Sequence, residues 1–169
     1  MTTQPKSALT PTARDEHAAR LRAAGLRVTQ PRLAVLGALA SAPHSPVDPV
    51  VRAVRSELGR VSVQAVYDVL RVLGSAGLVR RIDLAGTASR YELRVGDNHH
   101  HIVCRSCGST ADVDCAVGSA PCLDPLDAHG FVVDEAEVTY WGWCPSCRAT
   151  SAPNDPPTDT EPEPMEEPA

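Results

Sequence analysis

Two Cys-x-x-Cys pairs, CRSC at 104–107 and CPSC at 144–147 with 36 residues between them, constrain this chain more than any other feature. Each pair presents two thiolates from a tight turn. Together they supply the tetrahedral sulfur set that zinc prefers, a closed site without redox chemistry, so the chain between the pairs must double back. A site of this kind contributes about 10 to 16 kcal/mol in peptide models. Here that would be folding energy, because Phe, Trp and Tyr make only 4% of the chain and the core must be built from Val, Leu and Ala. A redox dithiol or disulfides would be competing uses of the same cysteines. The first thirty residues lack the apolar run of a secretory signal, and no stretch near 20 apolar residues occurs. A cytoplasmic protein with no membrane contact is expected, and reducing surroundings favour metal over disulfide. Cys115 and Cys122 lack a partner spacing and read as small buried residues or auxiliary thiols.

The stretch DNHHHIVCRSCG, residues 97–108, sets three histidines directly before the first pair. A strand over about 99–104 points His99 and His101 to one face and His100 to the other. Four thiolates saturate one zinc, so these imidazoles are open to a second metal, with Asp112 of ADVD as a hard oxygen ligand. Imidazole with carboxylate suits iron(II), manganese(II) or zinc. Histidines used for hydrogen bonding alone are the plainer alternative.

Charge divides the chain. Residues 1–94 hold 14 Lys and Arg against 7 Asp and Glu, a net +7, and thirteen of those cations are Arg; residues 95–169 hold 2 against 14, a net −12. A basic half suggests a polyanion as partner, and Arg pairs with phosphate in bidentate fashion; solvated helix faces are the bland alternative. Within that half, helices are predicted at about 13–24, 31–41, 47–58 and 62–76, punctuated by Gly25, SAPHSP at 41–46 and GRVS at 59–62. The last two helices and their short connection outline a helix-turn-helix. Along SVQAVYDVLRVLGSA, helical spacing puts Val63, Val66, Val69, Leu70 and Leu73 on an apolar stripe and Gln64, Tyr67, Asp68 and Arg71 on the other side, free to read a partner. LVRRID and SRYELRV, joined by LAGTA, predict a hairpin with Arg80, Arg81 and Arg90 along a wing. Past residue 150 Pro and acid dominate, and a disordered tail is expected.

Together GLRVTQPRLAVLGALASAPHSP, AVYDVLRVLGSAGLVRRI, RYELRVGDNHHHIVCRSCG, ADVDCAVGSAPCL and HGFVVDEAEVTYWGWCPSC resemble the ferric uptake regulator (Fur) family over about residues 14–148, and within it the FurA-type, catalase-associated peroxide regulators. The resemblance implies a dimeric, metal-dependent transcription factor of the α+β class. A winged helix-turn-helix DNA-binding domain (13–93) would precede a small α/β metal-binding dimerisation domain (94–149), between a disordered arm (1–12) and a disordered acidic, Pro-rich tail (150–169). The resemblance assigns Cys104, Cys107, Cys144 and Cys147 to a structural zinc, and His44, Glu92, His99, His101 and Asp112 to a regulatory iron(II) or manganese(II). Asp112 matches the peroxide-sensing branch, since iron- and zinc-responsive branches commonly carry Glu there. Glu92 stands where zinc sensors tend to place a Cys before the histidine cluster. Tyr67 matches a DNA-contacting tyrosine, whereas Asp68 stands where many members have Arg or Asn. DEAEV at 134–138 lacks the histidine that serves a further metal site in relatives, so no third site is expected.

His44 and Glu92 fall in the basic half, and His99, His101 and Asp112 in the acidic half. One metal taking ligands from both would tie them across the junction at about 93–97 and match the recognition helices of a homodimer to half-sites on double-stranded operator DNA, a coupling of about 1 to 3 kcal/mol. The expected protein is therefore a metal-dependent repressor, not an enzyme, which controls catalase and oxidative-stress genes and loses DNA when peroxide oxidises His44 or His99 at its iron site. The alternatives are an iron- or zinc-responsive repressor of metal uptake, a zinc-stabilised interaction module without DNA binding, and an oxygenase-like iron enzyme. Thiol oxidation at Cys115 or Cys122 is a rival sensing route.

Overall fold

The chain, described by a computed structural model over residues 11–83, 88–97, 99–115, 123, 125–133 and 136–150, falls into two units that divide between residues 98 and 99. The fold class is α+β. In unit 1, helices α1 (Pro11–Ala23), α2 (Gln30–Ser41), α3 (Val47–Leu58) and α4 (Val63–Ser75) accompany three short strands, β1 (Ser45–Pro46), β2 (Arg80–Ile82) and β3 (Arg90–Glu92). The strands form an antiparallel sheet in the order β1-β3-β2. Leu33, Ala34, Val35, Leu36, Gly37 and Leu39 are all buried on α2, so this helix has no single apolar stripe and runs through the core. Helices α3 and α4 do have stripes, Val50, Val51 and Val54 on one and Val66, Leu70 and Leu73 on the other, and both bury them in the same cluster.

A repeated string, LRAAGL at 21–26 and LGSAGL at 73–78, stops two of these helices in the same way. In the first, the Leu26 N–H donates to Leu21 C=O at 2.8 Å and the Gly25 N–H to Arg22 C=O at 3.0 Å; in the second, Leu78 donates to Leu73 at 3.0 Å and Gly77 to Gly74 at 2.9 Å. This paired closure needs a left-handed residue just past the helix, and Gly25 (φ 70°) and Gly77 (φ 64°) supply it. At the other end of α4, the Ser62 side chain accepts from the Ala65 N–H and caps the helix.

Three details depart from the sequence reading. Helix α1 begins at Pro11, inside the stretch expected to be a loose arm. Val63 is 41% exposed rather than packed, because the first residue of α4 precedes the turn that meets the core. The strand β1 was not anticipated, since two residues carry no periodicity.

Unit 2 holds β4 (His99–Cys104), β5 (Thr110–Asp114), β6 (Thr139–Gly142) and the short helix α5 (Pro145–Thr150). The sheet order is β5-β4-β6, with β4 antiparallel to β5 and parallel to β6. Among its described residues only Val103 and Cys104 are buried apolar side chains, while Leu126, Phe131, Val132, Tyr140 and Trp143 are exposed. No helix among the described residues is long and apolar enough to cross a membrane. The wing tip at 84–87, Cys122, Asp134 and Glu135 of the DEAEV stretch, the arm to residue 10 and the tail from 151 lie outside the described residues.

Candidate metal centres and nucleic-acid interface

The four paired cysteines meet because of strand direction. In the parallel ladder Cys104 lies beside Gly142, so the chain leaving β6 brings Cys144 to the end of β4. There the Cys144 N–H donates to Cys104 Sγ at 3.3 Å. The Gly108 N–H returns to Cys104 C=O at 2.9 Å and closes the turn that carries Cys107. Helix α5 starts directly after Cys144 and holds Cys147 in its first turn. The four sulfurs all lie within 4.8 Å of one another, and Cys107 Sγ to Cys144 Sγ is 3.8 Å. A tetrahedron with metal–sulfur bonds of about 2.3 Å has edges of about 3.8 Å, so the set fits zinc. None of the five described cysteines forms a disulfide.

Charge supports the same reading. The backbone N–H of Cys144, joined by those of Cys107 and Ser106, holds the Cys104 thiol down at about 6, in the thiolate form at neutral pH. At Cys147 the Ser106 hydroxyl favours the thiolate, but the neighbouring thiols of Cys144, Cys107 and Cys104 outweigh it and push the group up to about 12. Four thiolates this close repel one another unless a cation sits among them. Arg105 stacks on the Trp141 ring, 5.6 Å from its centroid, and its N–H donates to Gly142 C=O at 2.8 Å, fastening the turn to β6.

In unit 2 the histidines sort as alternation requires. His99 and His101 share a face, with ring centroids 5.0 Å apart, and His100 turns to the other face, edge-on to Tyr140 at 6.5 Å. Antiparallel pairing sets Asp112 directly across from His101. Asp112 Oδ1 lies 3.8 Å from His101 Nε2 and 4.0 Å from His99 Nε2. All three imidazoles are buried. Two imidazoles and a carboxylate converging on one face make a nitrogen–oxygen ligand set suited to iron(II), manganese(II) or zinc.

In unit 1 the unexpected strand β1 does the positioning. Ser45 pairs with Tyr91, so the residues on either side, His44 and Glu92, fall opposite each other, and His44 Nε2 lies 3.0 Å from Glu92 Oε2. His44 has a left-handed backbone (φ 56°), uncommon for a residue with a β-carbon and found where surroundings enforce it. Two bonds do so here: Arg90 Nη1 donates to His44 C=O at 3.0 Å and Ser45 Oγ donates to Ala42 C=O at 2.7 Å. Arg90 therefore supports the His44 turn, a role invisible in the sequence, where it reads as one more wing cation. Glu92 is only 1% exposed, and a carboxyl group so deeply buried needs a polar or ligating partner, which His44 supplies.

On the opposite side of α4, Gln64, Tyr67, Asp68 and Arg71 are exposed as the helical spacing requires. They line a groove of about 430 Å³ together with Arg81 and Tyr91. Arg80 is half-buried and Arg81 exposed on β2. Arg81 is held in place: its Nε donates to Asp83 Oδ1 at 3.0 Å, its Nη2 to Ser89 Oγ at 2.9 Å, and the Ser89 hydroxyl donates to Asp83 at 2.6 Å. The Ser89 hydroxyl and Arg81 accordingly keep the Asp83 carboxyl below its ordinary range.

Comparison with known proteins agrees with this architecture. The family model described as the Ferric uptake regulator family matches residues 23–140. The chain is 61% identical over 132 residues to the Transcriptional regulator FurA of Mycobacterium tuberculosis (strain ATCC 25618 / H37Rv), a match covering 78% of this chain and 90% of that protein. It is 64% identical over 121 residues to Ferric uptake regulation protein 1 of Mycolicibacterium fortuitum, across 72% of this chain and 75% of the relative. The structure of the ferric uptake regulator from Francisella tularensis with iron is similar at a TM-score of 0.61 and 27% identity, covering 73% of this chain and 96% of that one. The chain belongs to the ferric uptake regulator family.

Proposed function

We propose that the chain is a metal-dependent, DNA-binding transcriptional repressor that acts as a homodimer and senses peroxide at a regulatory iron. The observation that carries this reading is the buried Glu92–His44 pair: a carboxylate and an imidazole fixed together inside the basic, helix-turn-helix unit are two of the five ligands the proposed metal site needs. His99, His101 and Asp112 supply the remaining ligand types from unit 2, and one iron(II) or manganese(II) bound by all five would couple metal to DNA binding. Cys104, Cys107, Cys144 and Cys147 hold a structural zinc. Gln64, Tyr67 and Arg71 face operator DNA from α4, with Arg80 and Arg81 on the wing. The exposed Leu126, Phe131, Val132 and Tyr140 of unit 2 are apolar surface that a second copy would cover.

Iron(II), when bound, supplies the electron that cleaves the O–O bond of hydrogen peroxide beside its ligands. In the overall reaction one peroxide oxygen would enter a C–H bond of the His44 or His99 imidazole and the other would leave as water; an imidazole so altered would be a poor ligand, and the repressor would let go of DNA. On this proposal the genes controlled are those of catalase and other oxidative-stress proteins. In iron-loaded protein treated with mild peroxide, mass spectrometry should find one added oxygen on the peptide carrying His44 or His99, rising in step with loss of operator binding, and manganese-loaded protein should resist. Loss of DNA with both histidines unmodified, prevented by replacing Cys115 and Cys122, would transfer sensing to the thiols.

A further inference from the structure

Asp68 is out of place on a surface meant for phosphate. It sits exposed on α4 between Tyr67 and Arg71 and lines the same groove as Arg71 and Arg81. A negative charge there opposes the counterion-driven attraction that holds a basic domain on a duplex. Its carboxylate is engaged, however: Gln64 Nε2 donates to Asp68 Oδ1 at 3.2 Å, one helical turn away. An ionised carboxylate accepts and cannot donate, so this bond decides which end of the Gln64 carboxamide turns inward. Oε1 and the second N–H of Nε2 are left facing outward, an acceptor beside a donor. On the major-groove edge of adenine the complementary pattern is the N6 amino group beside N7. Guanine offers two acceptors there, O6 and N7. An unrestrained glutamine can turn both N–H groups towards them, but one with an N–H committed to Asp68 cannot. Gln64 is the second residue of α4, and the N-terminal residues of a recognition helix are the ones that reach base edges. Beside it the 41% exposed Val63 offers an apolar contact of the kind a thymine methyl accepts.

We propose that Gln64 and Asp68 form a single adenine reader, in which Gln64 touches the base and Asp68 is the positioning residue that excludes guanine at the cost of some general affinity. This rests on the DNA-reading role of α4 proposed above. The test is selection from duplexes randomised across the half-sites, using metal-loaded full-length protein and comparing the wild type with Gln64→Ala and Asp68→Ala. The wild type should enrich adenine over guanine at one position of each half-site by roughly 5- to 150-fold. Both variants should flatten that position alone, and Asp68→Ala should bind duplexes of unrelated sequence at least as tightly as the wild type, because one negative charge has gone. A helper that merely stiffened the helix would leave the base profile untouched. Unchanged preference at every position in Asp68→Ala overturns the pairing while leaving DNA binding standing. A metal-loaded wild type that enriches no sequence overturns the DNA-reading role itself.

Discussion

His17 lies on α1 beside the core residues Ala18 and Leu21, 6% exposed, and among the described residues neither of its ring nitrogens has a hydrogen-bond partner. Burial, reinforced by the charge of Arg20 and opposed by that of Glu16, holds its imidazole below the ordinary histidine range. The folded protein thus prefers His17 neutral, while the unfolded chain takes up a proton near pH ~6.5. Above that pH both states are neutral and nothing is lost. As pH falls through ~6.5 towards the lowered folded value, the unfolded state binds more protons and stability declines. Urea midpoints measured from pH 7.5 to 5 should fall in the wild type and flatten over this window in His17→Leu; parallel curves would assign the slope to other groups. Glu92 is the contrasting case, a buried carboxyl group with an imidazole against it. Burial alone does not distinguish the two, because what decides each is whether a charged or ligating partner shares the site.

Helix α4 packs with one face and leaves the other exposed, so on the proposed DNA-reading role Tyr67→Ala and Arg71→Ala should weaken operator binding while zinc content, regulatory-metal content and fold stay unchanged, as measured by fluorescence anisotropy beside metal analysis. Undiminished binding with an intact fold would move the recognition surface elsewhere. Helices α3 and α4 were legible because their apolar residues recur at helical spacing, and all four because their ends carry Gly, Pro or Ser signals. The strand β4 was legible through its length and its three histidines. Lost to the sequence were features made by contacts between distant segments. The two residues of β1 have no pattern until Tyr91 pairs with Ser45. Arg90 looks like a wing cation until its bond to His44 is seen. Arg81 looks free to grip phosphate until Asp83 and Ser89 are found holding it. The cysteines, His99, His101 and Asp112 were nominated by chemical type and spacing, His44 and Glu92 by the family resemblance, and only strand register explains how each local pair comes together.

Across the whole molecule the two units are held by different means. Unit 1 has a continuous cluster of buried Leu and Val, whereas the described part of unit 2 buries almost no apolar side chain, and the proposed zinc and dimer surface would supply stability there. Cys104→Ser or Cys144→Ser should therefore remove zinc and unfold or monomerise unit 2 while the helical signal of unit 1 persists; Cys115→Ser should keep its zinc. Equal zinc in all three variants, by elemental analysis, would sink the four-thiolate assignment. Strand β4 is where these dependencies meet, for His99 and His101 stand at its start and Cys104 at its end, only three residues or about 10 Å beyond His101. Viewed as something that must be inherited, that interval is a fixed-length word. Of its two inner letters Val103 is buried, while Ile102, 42% exposed, can change cheaply. Inserting or deleting one letter between His101 and Cys104 would turn the imidazoles to the wrong face relative to the cysteine, so lineages can respell this strand but cannot change its length by one.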